Sequence, residues 1–151
     1  MFKKIVWATD GSESADRCLP LVESLAAESS AEVLIVHCEE LTLPAKGGGA
    51  YPLHANEDEL MAKIRAQAEQ LSRPEAPATL EKMRARVGGA AQAIANVAQS
   101  GHADLIVVGT RGHTPLGGML LGSVTQRLLH IAPCPVLTVP MSGAGGNGQS
   151  T

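Results

Sequence analysis

Aromatic side chains are nearly missing from this chain. Phe2, Trp7 and Tyr51 are the only three in 151 residues. Single-strand nucleic-acid binders stack bases on aromatic platforms, so that class is excluded, and aliphatic side chains with alanine must fill the core. Excess positive charge is lacking too. Twelve Lys and Arg stand against fifteen Asp and Glu, a formal net charge of −3, whereas polyanion affinity needs many cationic contacts to phosphate. No nucleic-acid partner is expected. The three cysteines, Cys18, Cys38 and Cys134, are odd in number and form no CxxC pair. That excludes a disulfide framework and points to a reducing, cytoplasmic setting. No apolar run approaches the roughly 20 residues of a membrane helix, so no membrane is expected. The run after Lys3 and Lys4 stops at Asp10, too short for a signal peptide. His54, His102 and His130 show no metal spacing with one another or with the cysteines.

What is present suits one packed domain, since 44% of the residues are apolar and 18% charged. Lys4 to Ala8 reads as a short strand closed by the turn residues Thr9-Asp10-Gly11-Ser12. A helix follows with Ala15, Cys18 or Leu19, Val22, Leu25 and Ala26 on one face, and Pro20 inside it predicts a kink. Glu32 to Cys38 is apolar almost throughout, as in a strand covered on both faces. From Glu40 to Ala55 periodicity is lost among Pro44, Gly47, Gly48, Gly49 and Pro52, which reads as a mobile surface excursion. Asn56 opens a helix, with Glu59 placed for a capping-box-like pair and Leu60, Ile64, Ala68 and Leu71 as its buried stripe.

Thr79 to Val87 reads as a strand with Lys82, Arg84 and Arg86 on one face. These read as a charged edge protected from aggregation rather than a nucleic-acid stripe. Ala90 to Gln99 is a small amphipathic helix, Asp104 to Gly109 a buried strand, Ser123 to Ile131 a helix and Pro135 to Val139 a last strand. Residues 1–141 thus form one domain. The tail 142–151, rich in Gly, Ser, Asn and Gln, reads as disordered.

This order predicts a single α/β, Rossmann-like domain. Its five parallel strands would run in the order 3-2-1-4-5 with helices on both faces, because parallel strands need crossovers. Ligands in such sheets sit outside the carboxyl ends of the strands where the order reverses. That crevice brings Asp10 and Gly109 to one opening. The segment after the fourth strand is punctuated by Gly109, Gly112, Gly117, Gly118 and Gly122 and ends at Ser123, ahead of a helix. Glycines let main-chain N–H groups approach an oxyanion closely, and the helix adds unpaired N–H groups and the positive end of its dipole. Arg111 is the one cation of the loop and suits a terminal phosphate. Ser123 offers a hydroxyl to a phosphate oxygen, or with Gln126 forms an S-x-x-Q capping box. No G-x-x-x-x-G-K-[ST] loop competes. His113 reads as a solvent-facing loop residue rather than a general base, because no nearby carboxylate is placed to orient it.

The spacing G-x2-G-x9-G-(S/T) at Gly109, Gly112, Gly122 and Ser123 resembles the phosphate loop of ATP-binding universal stress proteins. The resemblance runs from about Lys3 to Pro140. It includes IVWATDGS from Ile5 to Ser12, the strand ending Val36-His37-Cys38, and the closing LLGSV and CPVLTV. It implies that Ala8, Thr9 and Asp10 border adenine and ribose, with Asp10 near the sugar, and that the Cys38 main chain contacts adenine, its thiol being incidental. Val108, Gly109, Arg111 and Gly112 would form the near side of the phosphate loop, and Gly122, Ser123 and Val124 the far side. Mg²⁺ would be held through the phosphates. Many relatives carry a basic residue where this chain has Gly117-Gly118, which implies a weaker grip on the γ-phosphate and similar binding of ATP and ADP.

The resemblance also implies a homodimer through the last strand, where Val136 to Val139 would otherwise be an exposed apolar edge. The function expected first is a regulatory, stress-response ATP-binding module without fast turnover. A slow ATPase, autophosphorylation at Ser123, Thr114 or Thr125, a cAMP-binding member and a nucleotide-free interaction protein are the alternatives.

Overall fold

The computed structural model describes residues 1–42, 51–52, 56–110 and 121–141. Strand β1 (Lys4–Ala8) alternates cleanly: Ile5 and Trp7 enter one core, Val6 and Ala8 the other. β1 is the centre of the sheet, paired in parallel with β2 (Glu32–Thr42) on one side and β5 (Leu105–Gly109) on the other. Beyond β2 lies β4 (Ala78–Arg86), and beyond β5 lies β6 (Val136–Val139), both parallel. The five parallel strands therefore run in the expected 3-2-1-4-5 order. A two-residue strand, β3 (Tyr51–Pro52), is added antiparallel to the end of β2 at Leu41 and Thr42.

Helices α1 (Glu13–Asp16), α2 (Leu19–Ser29) and α3 (Glu57–Leu71) lie before β4 in the chain, while α4 (Ala90–Ser100) and α5 (Ser123–Ile131) follow it. The first core joins Trp7, Val33, Ile35 and Val107 to Val22, Ala26, Ile64 and Leu71 of α2 and α3. The second joins Val6, Val36, Ile106 and Val108 to Ala91, Ile94, Ala95, Ala98 and Leu128 of α4 and α5. Burying strands on both faces is what crossover helices accomplish.

Three local expectations are corrected, and a cap role left open at Ser123 is decided. Pro20 does not kink one helix. The chain breaks between α1 and α2, and Pro20 sits in the first turn of α2, where a missing N–H costs nothing. β2 does not end at Cys38 but continues to Thr42, because β4 pairs with it residue by residue from Val33 to Leu41. Asn56 is the N-cap of α3 but makes no side-chain cap bond, so no capping box forms with Glu59; Glu57, Asp58 and Glu59 meet the positive end of the dipole instead. Ser123 is not an N-cap either. Gly122 takes that position with extended dihedrals, and the Gln126 amide donates to the Leu121 carbonyl.

Among the described residues β4 pairs only with β2 and so is an edge strand, as expected, and two residues of its basic face are paired internally. Lys82 and Arg84 approach the buried Glu39 carboxylate at 3.6 and 3.1 Å.

Candidate functional site

The end of β1 is a rigid corner. The Thr9 N–H donates to the Val36 carbonyl at 2.9 Å, and its hydroxyl accepts from the Gly11 N–H at 3.1 Å. Asp10 Oδ1 accepts from the Ser12 N–H at 2.9 Å, an Asx turn. Ser12 Oγ in turn caps α1 by accepting from the Ala15 N–H. Gly11 has φ +75°, and a Cβ there would also strike Leu60 of α3. The Lys63 ammonium, from the same helix, donates to the Gly11 carbonyl at 2.9 Å and pairs with Asp16.

β5 ends beside this corner, since Trp7 pairs with Val107. Val108 and Gly109 are buried, and Gly109 lies against α1 so closely that a Cβ would stand 2.7 Å from the Ser14 main-chain carbon and oxygen. Its lack of a side chain thus has a packing cause. Two bonds then fix the far side of the loop. The Gly122 N–H donates to the Thr110 carbonyl at 2.6 Å, and the buried Thr125 hydroxyl donates to the Gly109 carbonyl at 2.8 Å. These bonds hold the amino end of α5 beside the end of β5. Ser123 is exposed in the first turn of α5, and Val124 is half-buried against the second core. Arg111 and Gly112, like His113, Thr114, Gly117 and Gly118, lie outside the described residues.

Cys38 lies two residues past Val36, the last residue of β2 with a β1 partner. Main-chain groups of alternate residues point to the same edge of a strand. Because the Val36 carbonyl accepts from Thr9, the Cys38 N–H and carbonyl face the edge where β1 has ended. Ala8, Thr9, Asp10, Cys38, Val108, Gly109, Gly122, Ser123 and Val124 therefore gather around the carboxyl ends of β1 and β5. Burial pushes the Cys38 thiol up to about 11, with Glu40 and Glu39 adding to the shift, and pushes Cys18 up to about 12. We predict that a disulfide reagent at pH about 8 labels Cys38 in the folded protein on the order of 100-fold more slowly than an ordinary thiol, because the thiolate is the reactive form. Denaturant should restore ordinary reactivity. Fast labelling of native Cys38 would contradict this environment.

His37, read from the sequence as a strand residue near the adenine end rather than a ligand, touches the Thr9 corner. Its ring is buried, with Nδ1 3.0 Å from the Thr9 carbonyl and Nε2 3.1 Å from Glu57 Oε1. Among the described residues no group of three or more His, Cys, Asp or Glu is arranged to hold a metal ion. No described helix is long and apolar enough to cross a membrane.

Fold and crevice together define a class, the doubly wound α/β domains with a switch-point crevice beside a helix amino end. The comparisons with known proteins are narrower. A family model described as the universal stress protein family matches residues 1–140. A Thermus aquaticus universal stress protein is 38% identical over 142 residues, covering 92% of this chain and 99% of its own. Three solved structures share the fold. The Methanocaldococcus jannaschii protein MJ0577 has a TM-score of 0.76 at 23% identity, over 95% of this chain and 99% of that one. A universal stress protein in complex with cAMP has 0.67 at 23%, over 93% and 98%. An Archaeoglobus fulgidus universal stress protein in complex with dAMP has 0.58 at 24%, over 91% and 97%. This chain belongs to the universal stress protein family.

Proposed function

We propose that this protein binds ATP at the crevice between the ends of β1 and β5, as a homodimeric stress-response regulator without fast turnover. The observation that carries the reading is the tie between Thr110 and Gly122, which sets the amino end of α5 and the exposed Ser123 at the end of β5, the strand next to β1. A helix amino end with unpaired N–H groups suits phosphate. Asp10 suits a ribose hydroxyl, and the Cys38 N–H and carbonyl match the donor and acceptor of an adenine edge. Arg111 and Gly112 complete the phosphate loop in this reading, and Mg²⁺ would accompany the phosphates and keep most of its waters. The described lining is main chain, a hydroxyl and the Asp10 carboxylate, a set that suits holding a nucleotide better than activating water. Binding of cAMP is the second reading, supported by a fold neighbour in complex with cAMP.

Homodimerisation through β6 fits this picture, since β6 pairs only with β5 among the described residues and its four residues are half-buried. Native mass spectrometry with added ATP is expected to show a dimer carrying one nucleotide per subunit. ATP at 100 times its Kd should also add about 2.7 kcal/mol of stability. A monomer with no bound nucleotide and no thermal shift would overturn the reading. Displacement of ATP by micromolar cAMP would favour the second.

A further inference from the structure

We propose that Lys63 of α3 is a positioning residue for the nucleotide's sugar, and that it orients Asp10 through the peptide joining Gly11 to Ser12. The proposal rests on the nucleotide reading above and adds to it a residue that does not itself touch the ligand. Two side chains of α3, three positions apart and so on one helix face, reach the corner after β1. Leu60 fills the space that a Cβ on Gly11 would need, and the Lys63 ammonium donates to the Gly11 carbonyl at 2.9 Å.

The same ammonium pairs with Asp16 Oδ2, and the amide of the buried Gln67 donates to Asp16 Oδ1 at 3.0 Å. Both oxygens of Asp16 are therefore held from α3, which fixes where the ammonium stands. An ammonium has three N–H groups and serves Gly11 and Asp16 at once. Asp16 balances its charge, so what reaches Gly11 is a directed hydrogen bond rather than a long-range field.

The Gly11 carbonyl and the Ser12 N–H are the two ends of one planar peptide unit. That N–H donates to Asp10 Oδ1 at 2.9 Å. A donor on the carbonyl end acts on Asp10 in two ways. It fixes the plane of the peptide, and with it the direction from which the Ser12 N–H meets the carboxylate. It also polarises the unit, which strengthens the N–H as a donor. Gly11, at φ +75°, is the residue of the corner with the widest choice of dihedrals. Its N–H is taken by the Thr9 hydroxyl at 3.1 Å, and Lys63 fixes its other side. Asp10 is the carboxylate assigned to the sugar, so the worth of Lys63 to binding depends on the sugar hydroxyls.

Lys63→Met removes the donor and keeps an apolar stem. The Lys63 side chain is 41% exposed, so the core is left intact. Calorimetric titration compares ATP with dideoxy-ATP, which lacks both ribose hydroxyls. Both ligands carry the same triphosphate, so the loss of a positive charge affects them equally and cancels. Lys63→Met is expected to weaken ATP binding about fivefold more than dideoxy-ATP binding, the worth of one partly exposed hydrogen bond. Equal losses for the two ligands, which a role confined to seating α3 would give, overturn the proposal, as does no loss for either. Failure of the parent protein to bind either ligand is a failure of the nucleotide reading instead. Amide NMR of nucleotide-free protein reads the link to Asp10 apart from any ligand. The Ser12 amide proton should move upfield in Lys63→Met as its bond to Asp10 weakens, and a Ser12 signal that stays in place overturns the proposal.

Discussion

Replacing Ser123 with aspartate is expected to weaken ATP binding about thirtyfold while leaving the unliganded protein as stable as before or slightly more so. Two like unit charges about 4 Å apart repel by roughly 4 kcal/mol at an effective dielectric constant of about 20. Ser123 is exposed, so solvent and salt reduce this to about 2 kcal/mol, which corresponds to about thirtyfold in Kd. The same aspartate stands in the first turn of α5, where a negative charge stabilises a helix by about 0.3–1 kcal/mol. Melting temperature and affinity should therefore move in opposite directions. Calorimetric titration beside a thermal melt reads both. Unchanged affinity would mean that the phosphates do not approach α5.

Gly109→Ala is expected to cost about 3 kcal/mol, at the upper end of ordinary overpacking. The new Cβ would meet the Ser14 hydroxyl and stand 2.7 Å from the Ser14 main-chain carbon and oxygen, so either α1 or the interior strand β5 must move. For a domain of this size that is a fall of about 10 °C in melting temperature. Gly88→Ala is the control. Gly88 has φ +87° but nothing within 4 Å of a Cβ, so it should lose only about 1 kcal/mol of backbone strain. Equal losses at the two positions would remove the packing explanation. The contrast matters for the loop motif, because Gly109 is retained by α1 whether or not a phosphate ever arrives.

The parallel strands were legible because each is a short apolar run bounded by turn residues, and five such runs alternating with helices leave few topologies. The extension of β2 to Thr42 was not. Glu39 and Glu40 look like the start of a loop, and they stay in the sheet because Lys82 and Arg84 on the partner strand neutralise Glu39. The break before α2 was hidden because a proline within an apolar periodicity reads equally well as a kink or as a first turn. Ser123 was read with its cap role open, and Gly122 took that role because an extended residue there also closes the loop onto Thr110.

At the site, Asp10 and Gly109 could be brought together from topology alone. Cys38 could not, since its contribution is main chain and depends on where β1 stops. His37, Glu57 and Lys63 were illegible for a related reason. Their contacts to Thr9, His37 and Gly11 span 28, 20 and 52 residues, with no local spacing to announce them.

The most direct test of the central claim is a two-dimensional amide NMR titration of the protein with ATP and Mg²⁺. The account predicts that shifts concentrate at Thr9 to Ser12, Cys38, Gly109, Thr110 and Gly122 to Val124, saturate with ATP, and spare α4 and β4. Absence of saturable shifts, or shifts centred on α4 and β4, would contradict it.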